Sequence, residues 1–578
     1  ESMASTSSAS LPKRVPYLCL QADYSISIAN AIVKSLGGSS GKEKTASPSC
    51  STSQKSKNHE EATTTNGDVK ETARGRTESE DIKQILIKAK TAPPPLSTDI
   101  WVSAHIFEKF QAFGAVNIVA SASTSEDAAT PDKCCYDIKA EAKEGKFRVD
   151  FVPNKALSQE LLSSSSNQIK AKVTCEESGM TIEHIFASPD IEWDAASSKP
   201  MSQEKQRQNL ATRRNRAAAQ TALYSVDVSP FRDLLAVSGN DGFIRILSMK
   251  GTSYRYLCNK RIADEGRGGN DETPIRGRVE AAHSADVNTC SFFPSGKVLL
   301  TGGSDCSIKI WAVEHARCVK TFHAHAGGVT STSFLEKSGR VFASSSLDGT
   351  VRIWDCGRSE PTRVFGKSII SQKKPEDDES KEAASAIFGE ISDSIAIQEG
   401  RSVAFGDSLG NVRIIDVRQK SSSSSPGVVA KWPPSDSATN DMLRRRFSGV
   451  TCISSSSRMS KRGDRWGGGN QLILGTESGV LFGLDLRKMT SPLFAVRKND
   501  AAIGSVCALD DDGSFISAHA DGTVTMWEAG GTKILEEYVG ADCEPIYDIK
   551  VMPEGGEIES RAKLVTAGAD GIVRFYNV

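Results

Sequence analysis

Four groups of residues in this chain of 578 have types that can do chemistry. The run Gly37-Gly38-Ser39-Ser40-Gly41-Lys42 has the small residues and terminal lysine of a phosphate-binding loop. Such a loop also needs a glycine five residues before Gly41 and a Ser or Thr after the lysine, to cradle phosphate and hold Mg2+. Leu36 and Glu43 stand at those places, so nucleotide binding is rejected. His323 and His325 flank one residue and offer a pair of metal ligands, but the eight histidines form no spaced cluster around them. Cys134-Cys135 is the single adjacent pair among thirteen cysteines and offers a vicinal disulfide or a metal ligand. Most others, such as Cys290, Cys452 and Cys507, fall where a strand takes a small apolar residue, and read as reduced, buried hydrophobes. Arg444-Arg445-Arg446, with Lys461-Arg462 nearby, could bind an acidic partner or act as a nuclear signal, but a solvated loop accounts for them. No GxSxG, HExxH or paired Cys–His arrangement appears. The reading is non-catalytic, with no cofactor and no metal.

His325 has a better use. It opens a block of about thirty residues that also occurs at His283, and each block closes on an apolar strand with Trp, at Trp311 and Trp354. Asp305 to Asp348 and Trp311 to Trp354 are both 43 residues apart, within the period of about 40–45 that marks WD-repeat propeller blades. A His before the first strand, a Ser or Thr on the second, an Asp in the following turn and a Trp on the third can bond one another, satisfying polar groups the blade buries. One block offers His283, Thr301, Asp305 and Trp311; the next offers His325, Ser344, Asp348 and Trp354. Ser517, Asp521 and Trp527 fit a later blade that lacks the His, and Thr566, Asp570 and Tyr576 fit the last with Tyr for Trp. An earlier blade has Asp241 in the turn but Val237 and Leu247 at the other two places. Two more keep the turn only at Gly410 and Gly479. The count is seven.

Composition agrees with such a ring. Seven blades need roughly 300 residues, which 223–578 supply, and a formal net charge of −1 gives no field that would draw the chain to nucleic acid. No run of 18 apolar residues argues for a membrane span, and the first thirty residues lack the pattern of a secretory signal. Glu1-Ser2-Met3 reads as a true start at Met3, or a trimmed or tagged one. The compartment reads as cytoplasm or nucleus and the protein as a monomer outside its complexes.

The fold expected is all-β: a seven-bladed WD-repeat β-propeller, preceded by a small β-rich N-terminal module and a disordered insertion. Residues 1–36 form an N-terminal segment whose part 19–36 could be an amphipathic helix. Residues 37–80, rich in Ser, Thr, Lys and Glu, bury too little apolar surface to offset chain entropy and read as disordered. The β-rich module covers 81–200, with strands in DIWVSAH, KFRVDFVP, QIKAKVTC and MTIEHIFA, the last two joined by a hairpin at Glu176–Gly179. Residues 201–222 read as a polar linker helix, and 223–578 as the propeller. The last blade has three strands of its own, so closing the ring takes a strand from upstream.

Three stretches go beyond a generic repeat: 285–305 (ADVNTCSFFPSGKVLLTGGSD), 345–359 (SSLDGTVRIWDCGRS) and 540–551 (GADCEPIYDIKV), the last followed by DGIVRFY. With LQADY at 20–24 and the DIWVSAH strand, they resemble the proteasomal ATPase-associated factor family, WD-repeat chaperones of the regulatory-particle base. The polar insertions and 37–80 depart from that family's compact pattern. The resemblance implies binding to the C-terminal domain of one AAA-ATPase subunit of the base. It implies holding that subunit during assembly and hindering premature docking onto the core particle, with acids on the ring meeting basic residues. Asp286, Asp542 and Glu544, in loops entering blades, are the acids expected to share one face and make this contact. The competing readings are a substrate receptor of a cullin-type ubiquitin ligase, on the strength of Asp416-Val417-Arg418 and Asp485-Leu486-Arg487, and a general WD-repeat scaffold.

Overall fold

The computed structural model describes residues 12–20, 96–106, 110–122, 136–142, 147–152, 168–175, 181–195, 199–200, 221–231, 233–248, 254–257, 281–323, 325–366, 388–419, 427–433, 448–455, 471–509, 513–541, 543–552 and 563–577. The disordered insertion at 37–80, Cys134-Cys135, the hairpin at 176–179, nearly all of the linker at 201–222 and the arginines at 444–446 lie outside these residues.

Seven antiparallel sheets stand around a ring. Their inner strands are Leu223–Val228, Val287–Phe292, Val329–Phe334, Ile391–Ile397, Val450–Ser455, Ile503–Ala508 and Ile546–Met552, for blades 1 to 7. Each touches the next, and the seventh touches the first. Strands are lettered a to d from the inside outward. Because a, b and c are successively antiparallel, the loop entering strand a and the turn between b and c lie on one face of the ring, here the upper face.

The second strands explain the sequence pattern. Val298–Gly303, Val341–Ser346 and Lys563–Gly568 are buried at every residue after the first. Each lies in the middle of its sheet with another blade against either face, so it reads as an unbroken apolar and small-residue run, without alternation. The core consequently lies between blades. Seven apolar clusters occupy the seven seams, from blades 1 and 2 (Ile246, Leu299, Trp311) round to blades 7 and 1 (Val573, Leu235, Trp193). Full burial of one such side chain is worth about 1.5–3 kcal/mol, and none of it is available to a blade alone.

The closing strand is Ile191–Asp194, which pairs antiparallel with Ile572–Asn577. It comes from the stretch the sequence assigned to the preceding module. Trp193 fills the last seam, while Glu192 meets Arg574, whose Nε donates to Glu192 Oε1 at 2.9 Å and whose other nitrogen contacts Asp570. All three side chains are nearly inaccessible.

The N-terminal stretch also grips the ring. Lys13–Arg14 adds a parallel strand to the outer edge of blade 5, and Thr181–Ala187 adds one to blade 6, followed outward by Gln168–Cys175 and Phe147–Val152. Tyr17–Leu20 is a strand on Leu96–Ile106. This corrects the helical reading of 19–36 at its first two residues; the remainder lies outside the described residues. Between these edges the Tyr17 ring lies 5.3 Å from Lys498 Nζ, and Lys498 pairs with Glu537 at 3.2 Å, both fully buried. No helix among the described residues is long and apolar enough to cross a membrane.

Ring closure by a buried charge triad has a measurable consequence. Arg574→Met removes the cation and leaves Glu192 and Asp570 facing each other without it, which should cost about 3–5 kcal/mol. Glu192→Gln keeps a hydrogen-bond acceptor and should cost less than half as much. Denaturant unfolding of the full chain checks the order; equal effects would mean that the triad does not hold the closing strand.

Candidate partner-binding face

In blade 2, His283 stands in the loop entering strand a, Thr301 on strand b, Asp305 in the b–c turn and Trp311 on strand c. Trp311 Nε1–H donates to Thr301 Oγ1 at 2.9 Å, Thr301 Oγ1 lies 2.8 Å from His283 Nε2, and His283 Nδ1 lies 3.0 Å from Asp305 Oδ1. Blade 3 repeats this with Trp354, Ser344, His325 and Asp348 at 2.8, 2.7 and 3.1 Å. The partners assign the tautomer: the hydroxyl, taken up by indole N–H, donates to Nε2, and Nδ1–H donates to the carboxylate. Burial pushes both imidazoles below their usual range, against the pull of the carboxylates. Burial alone would raise Asp305 and Asp348, but donors from the imidazole, a neighbouring hydroxyl and the backbone outweigh it and hold both well below the usual carboxylate range. The pairs are therefore neutral imidazole on carboxylate, which is scaffold chemistry.

Blade 6 does contain a histidine, in another place. Ser517 Oγ receives Trp527 Nε1–H and bonds His519 Nε2, both at 2.8 Å, while Asn499 takes the loop position and donates to Asp521 at 2.6 Å. The loop position thus lacks the His, as the sequence reads, and His519 on strand b takes up the hydroxyl instead. In blade 7, Thr566 and Tyr576 are buried, but the Tyr576 hydroxyl donates to Val539 O of blade 6 at 3.2 Å, and Asp570 is engaged by Arg574. His323 ends the outer strand of blade 2, exposed. Among the described residues no group of three or more His, Cys, Asp or Glu is placed to hold a metal.

A second pattern escaped the sequence reading although its signal was there. Four residues after the turn Asp comes a basic residue: Arg245, Lys309, Arg352 and Arg574, with Arg413 at the matching place in blade 4. Arg245 pairs with Asp241, Arg574 with Asp570, and Arg413 with Asp407, which also accepts from Asn411. These buried ion pairs stand where the His–Asp bond is missing. One backbone bond survives in every blade: the N–H of a b–c turn residue donates to the carbonyl of the residue just before strand a. The seven donors are Asn240, Ser304, Leu347, Ser408, Glu477, Ala520 and Ala569.

That bond fixes the loops that carry the candidate acids. Asp286 lies in the loop entering blade 2 and Glu544 in the loop entering blade 7, so both are on the upper face, one blade apart. Asp542 lies outside the described residues. The upper face adds acids the sequence reading did not pick out, namely Glu390, Glu477 and Asp500, all exposed. Among its described loop and turn residues no Lys or Arg is exposed; Arg14 and Arg497, which approach, pair with Asp500. Leu347 and Leu409, 42% and 57% exposed in b–c turns, add apolar surface to this acidic rim. On the opposite face, Arg418 and Arg487 each clamp the Asp two residues earlier with two bonds of 2.7–3.0 Å, and both guanidinium groups remain exposed.

Comparison with known proteins matches the WD domain, G-beta repeat, at 277–312, 316–355 and 491–528. These are blades 2, 3 and 6, the three in which a Trp donates to a Ser or Thr hydroxyl. The chain is thus a WD-repeat β-propeller. It is 40% identical over 86 residues to the Periodic tryptophan protein 2 homolog of Caenorhabditis elegans, covering 15% of this chain and 9% of that protein. It is 31% identical over 93 residues to the Guanine nucleotide-binding protein subunit beta of Oryza sativa subsp. japonica, covering 16% and 24%. Over 83 residues it is 30% identical to the Methylosome protein WDR77 of Xenopus laevis, covering 14% and 25%. The chain thus spans a quarter or less of these relatives, whose names belong to different assemblies; they speak for the repeat.

The buried neutral imidazoles set a pH response. Their folded pKa lies below the unfolded value near 6.5, with His519 at about 4 and His184 at about 3, both through burial. The folded form therefore binds fewer protons. Stability from these groups is complete above pH 6.5 and is lost as pH falls, by up to about 1.4 kcal/mol per pH unit for each histidine. The melting temperature should be level above pH 7 and drop between pH 6.5 and 4, less steeply in His519→Gln. A melting temperature that rose on acidification would contradict the assignment.

Proposed function

We propose that this chain is a non-catalytic binder of the C-terminal domain of an AAA-ATPase subunit of the proteasome regulatory-particle base. It holds that subunit during assembly and keeps it from docking prematurely onto the core particle. The observation that carries the reading is the sign of the described part of the upper face. Acids other than the turn Asp stand exposed or half-buried there in five of the seven blades (Asp286, Glu390, Glu477, Asp500 and Glu544), without an exposed cation among the described loop residues, and Asp286 and Glu544 lie in the segments that resemble the assembly-chaperone family. A face of this kind steers a basic domain and sets its orientation, contributing more to on-rate and specificity than to affinity.

A second reading has its own observation. The paired Asp416–Arg418 and Asp485–Arg487 clamps present two pre-oriented guanidinium groups from adjacent blades on the lower face, as a cullin-type ligase receptor would use to meet its adaptor.

The two readings use opposite faces, so one experiment separates them. Asp286→Lys with Glu544→Lys should abolish capture of the ATPase C-terminal domain in a pull-down against each isolated base subunit, and leave thermal unfolding nearly unchanged, because Glu544 is exposed and Asp286 is only half-buried. Arg418→Ala with Arg487→Ala should leave that capture intact. Capture lost only in the arginine variant would overturn the assembly reading in favour of the lower face.

A further inference from the structure

Every blade has a β-bulge at the upper end of its inner strand. The first and third residues of strand a pair with strand b, and the second is left out of the ladder. A bulge releases a side chain and re-aims it, here at the upper mouth of the central channel. In three blades the released side chain clasps the next blade, always at the carbonyl of the first strand-a residue. Asn288 Nδ2 donates to Val329 O at 2.8 Å, Thr330 Oγ1 to Ile391 O at 2.8 Å, and Thr451 Oγ1 to Ile503 O at 2.6 Å.

Four blades lack the clasp: blade 4, where the bulged residue is Ser392, and the three consecutive blades 6, 7 and 1. Blade 6 has Gly504, where an added Cβ would lie 2.2 Å from Ile546 O, so the backbones approach directly. Blades 7 and 1 have Tyr547 and Tyr224, whose rings meet edge to face at 5.2 Å and 79°. Tyr547 is 37% exposed and Tyr224 half-buried. The pair joins blades 7 and 1 as an aromatic contact, yet Tyr547 keeps part of its ring exposed at the mouth, where it is open to a ligand. Acids flank the pair. Asp286 immediately precedes the inner strand of blade 2, on the side Tyr224 faces, and its charge acts on the Tyr224 hydroxyl, which burial also raises. Glu544 lies two residues before the inner strand of blade 7, on the other side.

We infer that Tyr224, Tyr547 and Asp286 form a receptor for one arginine side chain of a protein partner, at the upper mouth of the channel between blades 7 and 1. Ring faces attract a weakly hydrated planar cation, and a carboxylate offers it two parallel acceptors, a combination that favours guanidinium over ammonium. Across the mouth the bulge of blade 4 carries the small Ser392, and beside Tyr547 blade 6 carries Gly504, so neither adds a bulky side chain to the approach. The site deepens the proposed function by naming what the acidic face would seize first, and rests on that reading only for the identity of the partner.

The test uses the full chain with its nine tyrosines ring-labelled for NMR, titrated with the peptide acetyl-Gly-Gly-Arg-Gly-Gly-amide. Two resonances, assigned through Tyr224→Phe and Tyr547→Phe, should shift saturably; the lysine peptide should shift them several-fold less per mole, and the uncharged citrulline peptide not at all. The Phe variants should hold the peptide within about twofold. Tyr224→Thr with Tyr547→Thr, which offers the clasp found in blades 3 and 5, should weaken it at least tenfold while the melting temperature holds. Equal shifts from the citrulline peptide, no shift of either ring, or equal losses in the Phe and Thr variants would overturn the inference. Capture of an ATPase domain that acid reversal destroys and the Thr variant leaves intact would also refute the subsite while sparing the proposed function. Peptide binding by a chain that captures no ATPase domain would do the reverse.

Discussion

A blade of this ring has no core of its own. The apolar residues of each sheet are buried only against the sheets on either side, so the stability of any part depends on the ring being closed. That places an unusual demand on the seam between blades 7 and 1, where the two ends of the repeat array meet. The strand that closes it carries Trp193 into the apolar seam and Glu192 onto Arg574, two contacts across 380 residues of chain. An apolar side chain alone would let the strand slide by two residues at little cost, since alternate residues face the same way. The charge triad favours the observed register through side-chain length, because a slip by two residues would set the shorter Asp190 or Asp194 opposite Arg574 in place of Glu192.

The seams also explain why polar residues survive inside the ring. In six of the seven blades the chain between strands b and c carries an Asp, and the blade must give it donors. Blades 2 and 3 use a neutral imidazole, blade 6 an asparagine, and blades 1, 4 and 7 a guanidinium. Imidazole needs no charge to do this, whereas guanidinium brings a full ion pair into the interior and is accompanied by further acceptors, such as Ala195 O for Arg245. The turns themselves put their next residue in the left-handed region. Glycine fills that place in six blades, at φ near +75°, and Cys306 in blade 2 at +61°.

How much of this the sequence disclosed follows from the range of each interaction. The 43-residue spacing, the Trp–hydroxyl–His–Asp residues of blades 2 and 3, and the glycine of each turn are local, and all were legible. The need for an upstream strand was legible as well, because it follows from counting strands. Which strand supplies it was not: IEWD has no local feature that marks it as the partner of IVRF, and only the folded ring brings them together. His519 was missed because it stands two residues along the strand from its hydroxyl partner, outside the repeat's usual register. The basic residue that follows the turn in five blades was missed for the opposite reason, since it looked like ordinary alternation in a strand. Of the candidate acids, Asp286 and Glu544 were picked through their place before an inner strand, while Glu390 holds a similar place in a blade that keeps only the turn glycine, and Asp500 one in blade 6, where Asn499 stands in place of the loop His.

Scaffold and surface are joined by the backbone bond from the b–c turn to the residue before strand a. It is present in all seven blades, including those that have lost the His and the Trp. In blade 2 the turn carboxylate of Asp305 takes the N–H of Ser284, and Ser304 N–H takes the carbonyl of Asp286 itself. The imidazole relay therefore ends on the loop that carries the half-buried candidate acid Asp286. Changes in the relay would reach the upper face through that loop, as a loss of order in the acid's position, before any contact atom was altered. A partner that reads several loops at once would feel this as a loss of orientation, and the rigid ring is what allows acids on separate blades to act as one surface. The residues free to vary without this penalty are the bulged ones at the channel mouth, whose side chains the ladder does not use. Tyr224 and Tyr547 occupy two such places, where a change in recognition costs the fold least.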